Sequence, residues 1–259
     1  MRQLPLLNLF AFAAVLVVNY LSNSLPLNGK TPAQLSDQYP NLFVPAGLTF
    51  AIWGVIYTWL LVWIGYQTAG LFRSKIRAQV EPALQKIGGW FAVTCLLNIS
   101  WLFAWHWEKL LLSVGIMCAL LAALWRLNTL AGTGISKTNQ LEKWLAHAPF
   151  GLYQGWITIA LIANVTALLV AHGWQGGDIP EYFWAIFLVL AGTLLANVVV
   201  RKTDNVFHGL AVAWALLGIF LQRSKDGDPA SVAVGRIALL SAVLVLIWVT
   251  LRWKRWLAY

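Results

Sequence analysis

The chain has 259 residues, of which 60% are hydrophobic and only 10% charged, and it carries a net charge of +9. Soluble domains are about 25% charged, so a water-facing globule is excluded: too few polar side chains exist to cover it, whereas lipid tails can solvate an apolar exterior. The basic residues sit in short loops between apolar stretches, which points to membrane-surface charge and away from nucleic acid.

The first apolar stretch, Pro5 to about Leu25, is too long for a signal-peptide core and has no small-x-small cleavage site after it, so it predicts an uncleaved span. A polar loop, Asn28 to Asn41, is broken by Gly29, Pro32 and Pro40. Span two is expected at about Pro45 to Thr68. The segment from Arg73 to Lys86 is basic and contains Pro82, and is expected as a loop, partly interfacial. Span three follows at about Gly88 to Trp107, and span four ends near Leu130. A short surface helix is expected at Gln140 to Ala146, then span five at about Pro149 to Ala171. After a Gly-rich turn, span six covers about Tyr182 to Val200. Span seven, Val206 to Leu221, is the shortest, and span eight runs from about Ser231 to Leu251. At roughly 20 residues per span, eight spans use about 160 residues and leave no room for a soluble domain.

Orientation follows from all 18 basic residues. With eight spans and a cytoplasmic N-terminus, one side holds Arg2, Arg73, Lys75, Arg77, Lys86, Arg126, Lys137, Lys143, Arg201, Lys202, Arg252, Lys254 and Arg255. The other holds Lys30, Lys109, Arg223, Lys225 and Arg236, so the split is thirteen against five. Excess Lys and Arg on the cytoplasmic side then places both termini there, in a plasma (inner) membrane.

Sixteen tryptophans are the main compositional oddity. Trp107, Trp144, Trp174, Trp253 and Trp256 fall near predicted span ends, where interfacial belts form. Trp53, Trp59, Trp63, Trp101, Trp156, Trp214 and Trp248 fall deeper, where an indole N–H needs a partner. Asn19, Asn98, Gln154, Asn164 and Asn197 put amides inside spans and are expected to bond between helices. Gly151 and Gly155 form a G-x-x-x-G that permits close backbone approach. Cys95 and Cys118 lie in apolar segments and read as small buried hydrophobes.

Few charged groups lie at mid-membrane depth, which disfavours proton- or ion-coupled pumping. His106, His147, His172 and His208 have no carboxylate or second His at i+3 or i+4, so no metal site is expected. No Walker loop, dinucleotide fingerprint or nucleophile elbow is present. No catalytic residue and no cofactor is therefore assigned.

The segment Pro45-Ala-Gly-Leu-Thr-Phe50-Ala-Ile-Trp53-Gly-Val-Ile-Tyr57, together with Leu97-Asn98-Ile-Ser-Trp101 and Tyr153-Gln-Gly-Trp156-Ile-Thr-Ile-Ala160…Asn164, resembles the tryptophan-rich sensory protein (TspO/MBR, translocator protein) family. The likeness covers about residues 1–172. Ala46 replaces the family's second proline before span two, Leu152 replaces a proline before Tyr153, and no sterol-type Tyr-x-Lys/Arg motif follows span five. The resemblance implies an all-α, polytopic transmembrane bundle of five helices over 1–172, extended here by three over 173–259. It implies a pocket for tetrapyrroles or other hydrophobic aromatics, serving sensing, transport or regulation. Trp53 and Trp156 would line it, with Phe50, Tyr57, Asn98, Trp101 and Tyr153 nearby. Lys30, Asn41 and Thr49 of the first loop would meet a carboxylate edge. Two alternatives stay open, a small-solute permease and a ligand-free membrane assembly protein, and a homo-oligomer is compatible with each.

Overall fold

A computed structural model describes residues 3–25, 27–134, 140–174 and 176–258. Arg2 and Lys137, counted above in the inner-face charge, lie outside them. The helices are α1 (Gln3–Ser24), α2 (Pro32–Asp37), α3 (Ile52–Ala69), α4 (Ser74–Ile87), α5 (Trp90–His106) and α6 (Leu110–Gly134). They continue with α7 (Gln140–Glu142), α8 (Ala148–Ala171), α9 (Glu181–Thr203), α10 (Val206–Arg223) and α11 (Pro229–Ala258). Among the described residues there is no strand. Seven segments are long and apolar enough to cross a membrane, and an eighth crosses if α4 and α5, bent by 62°, count as one span. The chain is thus an all-helical polytopic membrane protein.

The segment expected as a loop at Arg73–Lys86 is helix α4, with Pro82 inside it. Its buried residues, Val80, Ala83, Leu84 and Ile87, recur at the spacing of one helical face, and tertiary burial of such a stripe outweighs a local breaker. Pro82 takes an N–H away from the carbonyl of Ala78, yet both residues are exposed. That carbonyl is therefore open to solvent, and the interior proline is tolerated.

Span two also starts differently from the expectation. Gly47–Ala51 is a 3-10 turn, and the α-helix begins only at Ile52. Gln140–Glu142, a π turn at Lys143–His147 and α8 run on as one apolar segment, Gln140–Ala171. The short span seven, α10, runs past the expected Leu221 to Arg223 and has 18 residues. It is α5, at 17 residues, whose crossing depends on the bend before it.

The fold comprises two compact units: Met1–Pro32 with Trp53–Gln154, and Ala33–Ile52 with Gly155–Tyr259. The first has an aromatic core. Trp63 packs edge-on against Phe91 and Phe150 at 4.8 and 4.9 Å, and Phe12 lies 6.0 Å from Phe91. All four are buried. Asn128 Nδ2 donates to the carbonyl of Phe150 at 3.0 Å, tying α6 to the start of α8.

The second unit is built around α10, whose buried face is rich in Gly and Ala. Small residues let neighbouring helices approach where apolar burial provides no driving force. Gly155 shows the effect: a Cβ there would collide with the backbone of His208. Likewise, a Cβ on Gly218 would strike Thr49. The turn around Thr49 is fastened by Ala46 N–H to the Gly218 carbonyl at 3.0 Å and by Trp214 Nε1 to the Thr49 carbonyl at 2.8 Å. The α9–α10 reversal takes only two residues. Asp204 adopts φ +52° and pairs with Arg252 at 3.0 Å, while Asn205 Oδ1 caps α10 by accepting from Phe207 N–H.

Candidate functional site

In the first unit three of the sequence-predicted residues, Tyr57, Asn98 and Tyr153, join Asn19 in a chain of buried and half-buried polar groups. Tyr57 Oη donates to Asn19 Oδ1 at 3.0 Å. Asn19 Nδ2 donates to Asn98 Oδ1, and Asn98 Nδ2 donates to Tyr153 Oη, each at 3.0 Å. Four helices, α1, α3, α5 and α8, are joined in this way. Lipid offers no hydrogen-bond partners, so these amides and phenols satisfy one another, and the network fixes helix rotation as well as depth.

Aromatic rings sit directly on that network. Trp53 stacks on Tyr57 with ring centroids 5.1 Å apart and meets Tyr153 edge-on at 5.6 Å. Phe12 approaches Tyr57 edge-on at 6.2 Å. Trp53 and Tyr57 are half-buried, whereas Asn98 and Tyr153 are buried. A half-buried indole on a fixed phenol leaves part of a flat apolar surface uncovered. Trp101 stacks on Trp105 at 6.2 Å.

The other two predicted residues belong to the second unit. Phe50 meets Trp156 edge-on at 5.8 Å, with Phe50 half-buried and Trp156 buried. The 3-10 turn that carries Phe50 is the one fastened to α10 through Thr49.

The first-loop residues have structural partners. Lys30 forms an ion pair with Glu108 at 2.9 Å. Asn41 bonds the Tyr39 carbonyl and the Phe43 N–H. Thr49 is buried against α10.

Asn19 was expected only as an interhelical amide, yet it bridges Tyr57 and Asn98 and is integral to the site. An amide inside an apolar span was the visible signal; its partners, 38 and 79 residues away, were not. Two other expectations are corrected. Trp256, expected in the interfacial belt, is buried edge-on against Phe207 at 5.1 Å. Cys118 is exposed, unlike buried Cys95.

A wide groove of about 720 Å³ also lies in the second unit, between the end of α8, the start of α9 and residues 40–43. Trp174 and Trp184 meet there edge-on at 5.1 Å, and Glu181 accepts the Leu42 N–H at 2.9 Å. None of the seven predicted residues lines it.

Among curated proteins and among solved structures, none matches the chain. Residues 5–251 do match the family described as TSPO-like protein, so the match runs on through α9 and α10 and well into α11. An all-helical membrane bundle, the Trp53–Tyr57 and Asn98 motifs on neighbouring helices, and this near-complete match together place the chain in the TSPO-like protein family.

Proposed function

We propose that this membrane protein binds a flat hydrophobic aromatic ligand of the tetrapyrrole class and uses it for sensing, transport or regulation. The observation that carries the reading is the Trp53 indole, packed against Tyr57 and Tyr153, which a continuous hydrogen-bond chain joins, and still half-buried. A tetrapyrrole is large, planar and apolar, and indole and phenol faces offer it stacking surface at little entropic cost because the rings are already fixed. In this reading Trp53 and Trp156 make the main contacts. Phe50, Tyr57, Asn98, Trp101 and Tyr153 shape the surroundings. Residues 1–172 carry the ligand chemistry, and residues 173–259 form a three-helix extension. The protein sits in the plasma (inner) membrane with both termini cytoplasmic.

Titration of the purified protein with protoporphyrin IX, followed by tryptophan emission, tests this reading. Saturable quenching is expected. Quenching that rises linearly with porphyrin, as partitioning into detergent produces, would remove the ligand assignment and leave the permease and ligand-free assembly readings in its place.

A further inference from the structure

A second cavity, of about 300 Å³, lies wholly within the first unit, between the N-terminal end of α1, the C-terminal end of α3 and helix α4. Most of its wall is apolar, formed by Leu4, Pro5, Leu71, Val80 and Leu84. Four polar side chains, Gln67, Arg77, Glu81 and Gln85, interrupt that wall, and the first three make distinct demands.

Gln67 is 1% exposed; its Oε1 accepts from Asn8, but its Nε2 has no hydrogen-bond partner. Glu81 has a buried carboxylate oxygen, Oε1, that likewise lacks one. Arg77 lies one helical turn before Glu81, yet its guanidinium is directed elsewhere. Its Nε donates to the Gly70 carbonyl at 3.0 Å and its Nη2 to the Leu71 carbonyl at 2.9 Å. The cavity thus presents an unanswered carboxylate oxygen, an unanswered amide N–H and an anchored positive charge. Leaving such groups buried without partners is unfavourable, so the complementary ligand carries both a cationic N–H donor and an anionic acceptor.

The position of the cavity narrows its source. Helix α4 buries Val80, Ala83, Leu84 and Ile87 and exposes Lys75 and Lys86, the pattern of a helix lying in the membrane interface. Phe72, next to the lining residue Leu71, is 84% exposed and continues the apolar surface outward. A ligand seated here has its polar end among Gln67, Arg77 and Glu81 and its apolar end in lipid.

The geometry points to a binding site for the head group of a zwitterionic phospholipid with a primary ammonium, of the phosphatidylethanolamine type. The ammonium N–H donates to Glu81 Oε1, and phosphate oxygens accept from Gln67 Nε2 and face the Arg77 charge. A trimethylated head group has no N–H to donate, and a glycerol head group has no cation. Both are disfavoured for that reason.

Native mass spectrometry of the delipidated full chain tests this. It would be run with phosphatidylethanolamine, phosphatidylcholine and phosphatidylglycerol of identical acyl chains. One retained phosphatidylethanolamine is expected, with about tenfold preference over the other two, as one charge-assisted hydrogen bond supplies. Glu81→Gln, nearly isosteric, is expected to abolish the preference while the helical circular dichroism stays unchanged. Equal retention of the three lipids by the wild type would overturn the site without reference to any variant. So would stronger retention of phosphatidylglycerol, or a preference that survives in Glu81→Gln.

Discussion

Asn98 donates to Tyr153 Oη and accepts from Asn19, so one side chain closes the buried polar chain in both directions. Asn98→Leu removes both bonds and strands a phenol and an amide in an apolar setting. At roughly 1 kcal/mol per interhelical bond, the variant is expected to lose about 2 kcal/mol, read as a lowered midpoint of thermal unfolding in detergent. Gly155 makes a second residue-scale case. An added Cβ meets the His208 backbone, which cannot step aside as a flexible side chain would. Gly155→Ala is therefore expected to cost about 1–3 kcal/mol by overpacking, measured in the same melt. The sequence made Asn98 and Gly155 legible as residue types out of place in an apolar span. It left hidden that Asn19 completes the chain, because nothing local marks a partner 79 residues away.

At the scale of elements, the departures cluster where local and tertiary preferences conflict. Helix α4 carries an apolar stripe at 80, 83, 84 and 87 that reads plainly as helical, yet Pro82 and four basic residues from Arg73 to Lys86 outweigh it in a local reading. The structure resolves the conflict by burying the stripe and turning Pro82 outward. Pro82→Ala restores the missing N–H opposite the Ala78 carbonyl. It is expected to slow amide hydrogen exchange over residues 78–87, through a local gain of about 1–3 kcal/mol. No change in exchange would show that the proline costs this helix nothing. The long uniform spans are the opposite case: α6 and α9 appear close to where hydropathy predicts them, because burial in lipid and burial in protein ask for the same residues. Helix ends moved most. Span two lost its first turn to a 3-10 segment, because Ala46 and Thr49 bond to α10 instead of continuing a helix.

For the molecule as a whole, the family match over residues 5–251 extends beyond the motifs at Trp53, Asn98 and Trp156 that carried the resemblance. Composition alone fixed the membrane setting. The orientation proposed from the distribution of basic residues is open to a direct check. In a chain lacking Cys95 and Cys118, Lys225→Cys is expected to react with an impermeant thiol reagent added to intact cells, and Lys75→Cys only after permeabilisation. The reverse pattern would invert the topology, and the same response at both positions would mean that α5 does not cross. What composition and periodicity could not supply is how the aromatic rings meet, because stacking depends on rotations set by Asn19, Asn98 and Tyr153.

The most direct test of the central claim is the affinity of protoporphyrin IX for the lipid-nanodisc-embedded protein, wild type beside the Trp53→Phe/Trp156→Phe double variant, followed by porphyrin absorbance. Loss of two indole faces is expected to weaken binding about tenfold, in keeping with roughly 0.5–1.5 kcal/mol per aromatic contact. Equal affinity in the two proteins would place any porphyrin elsewhere and contradict the account.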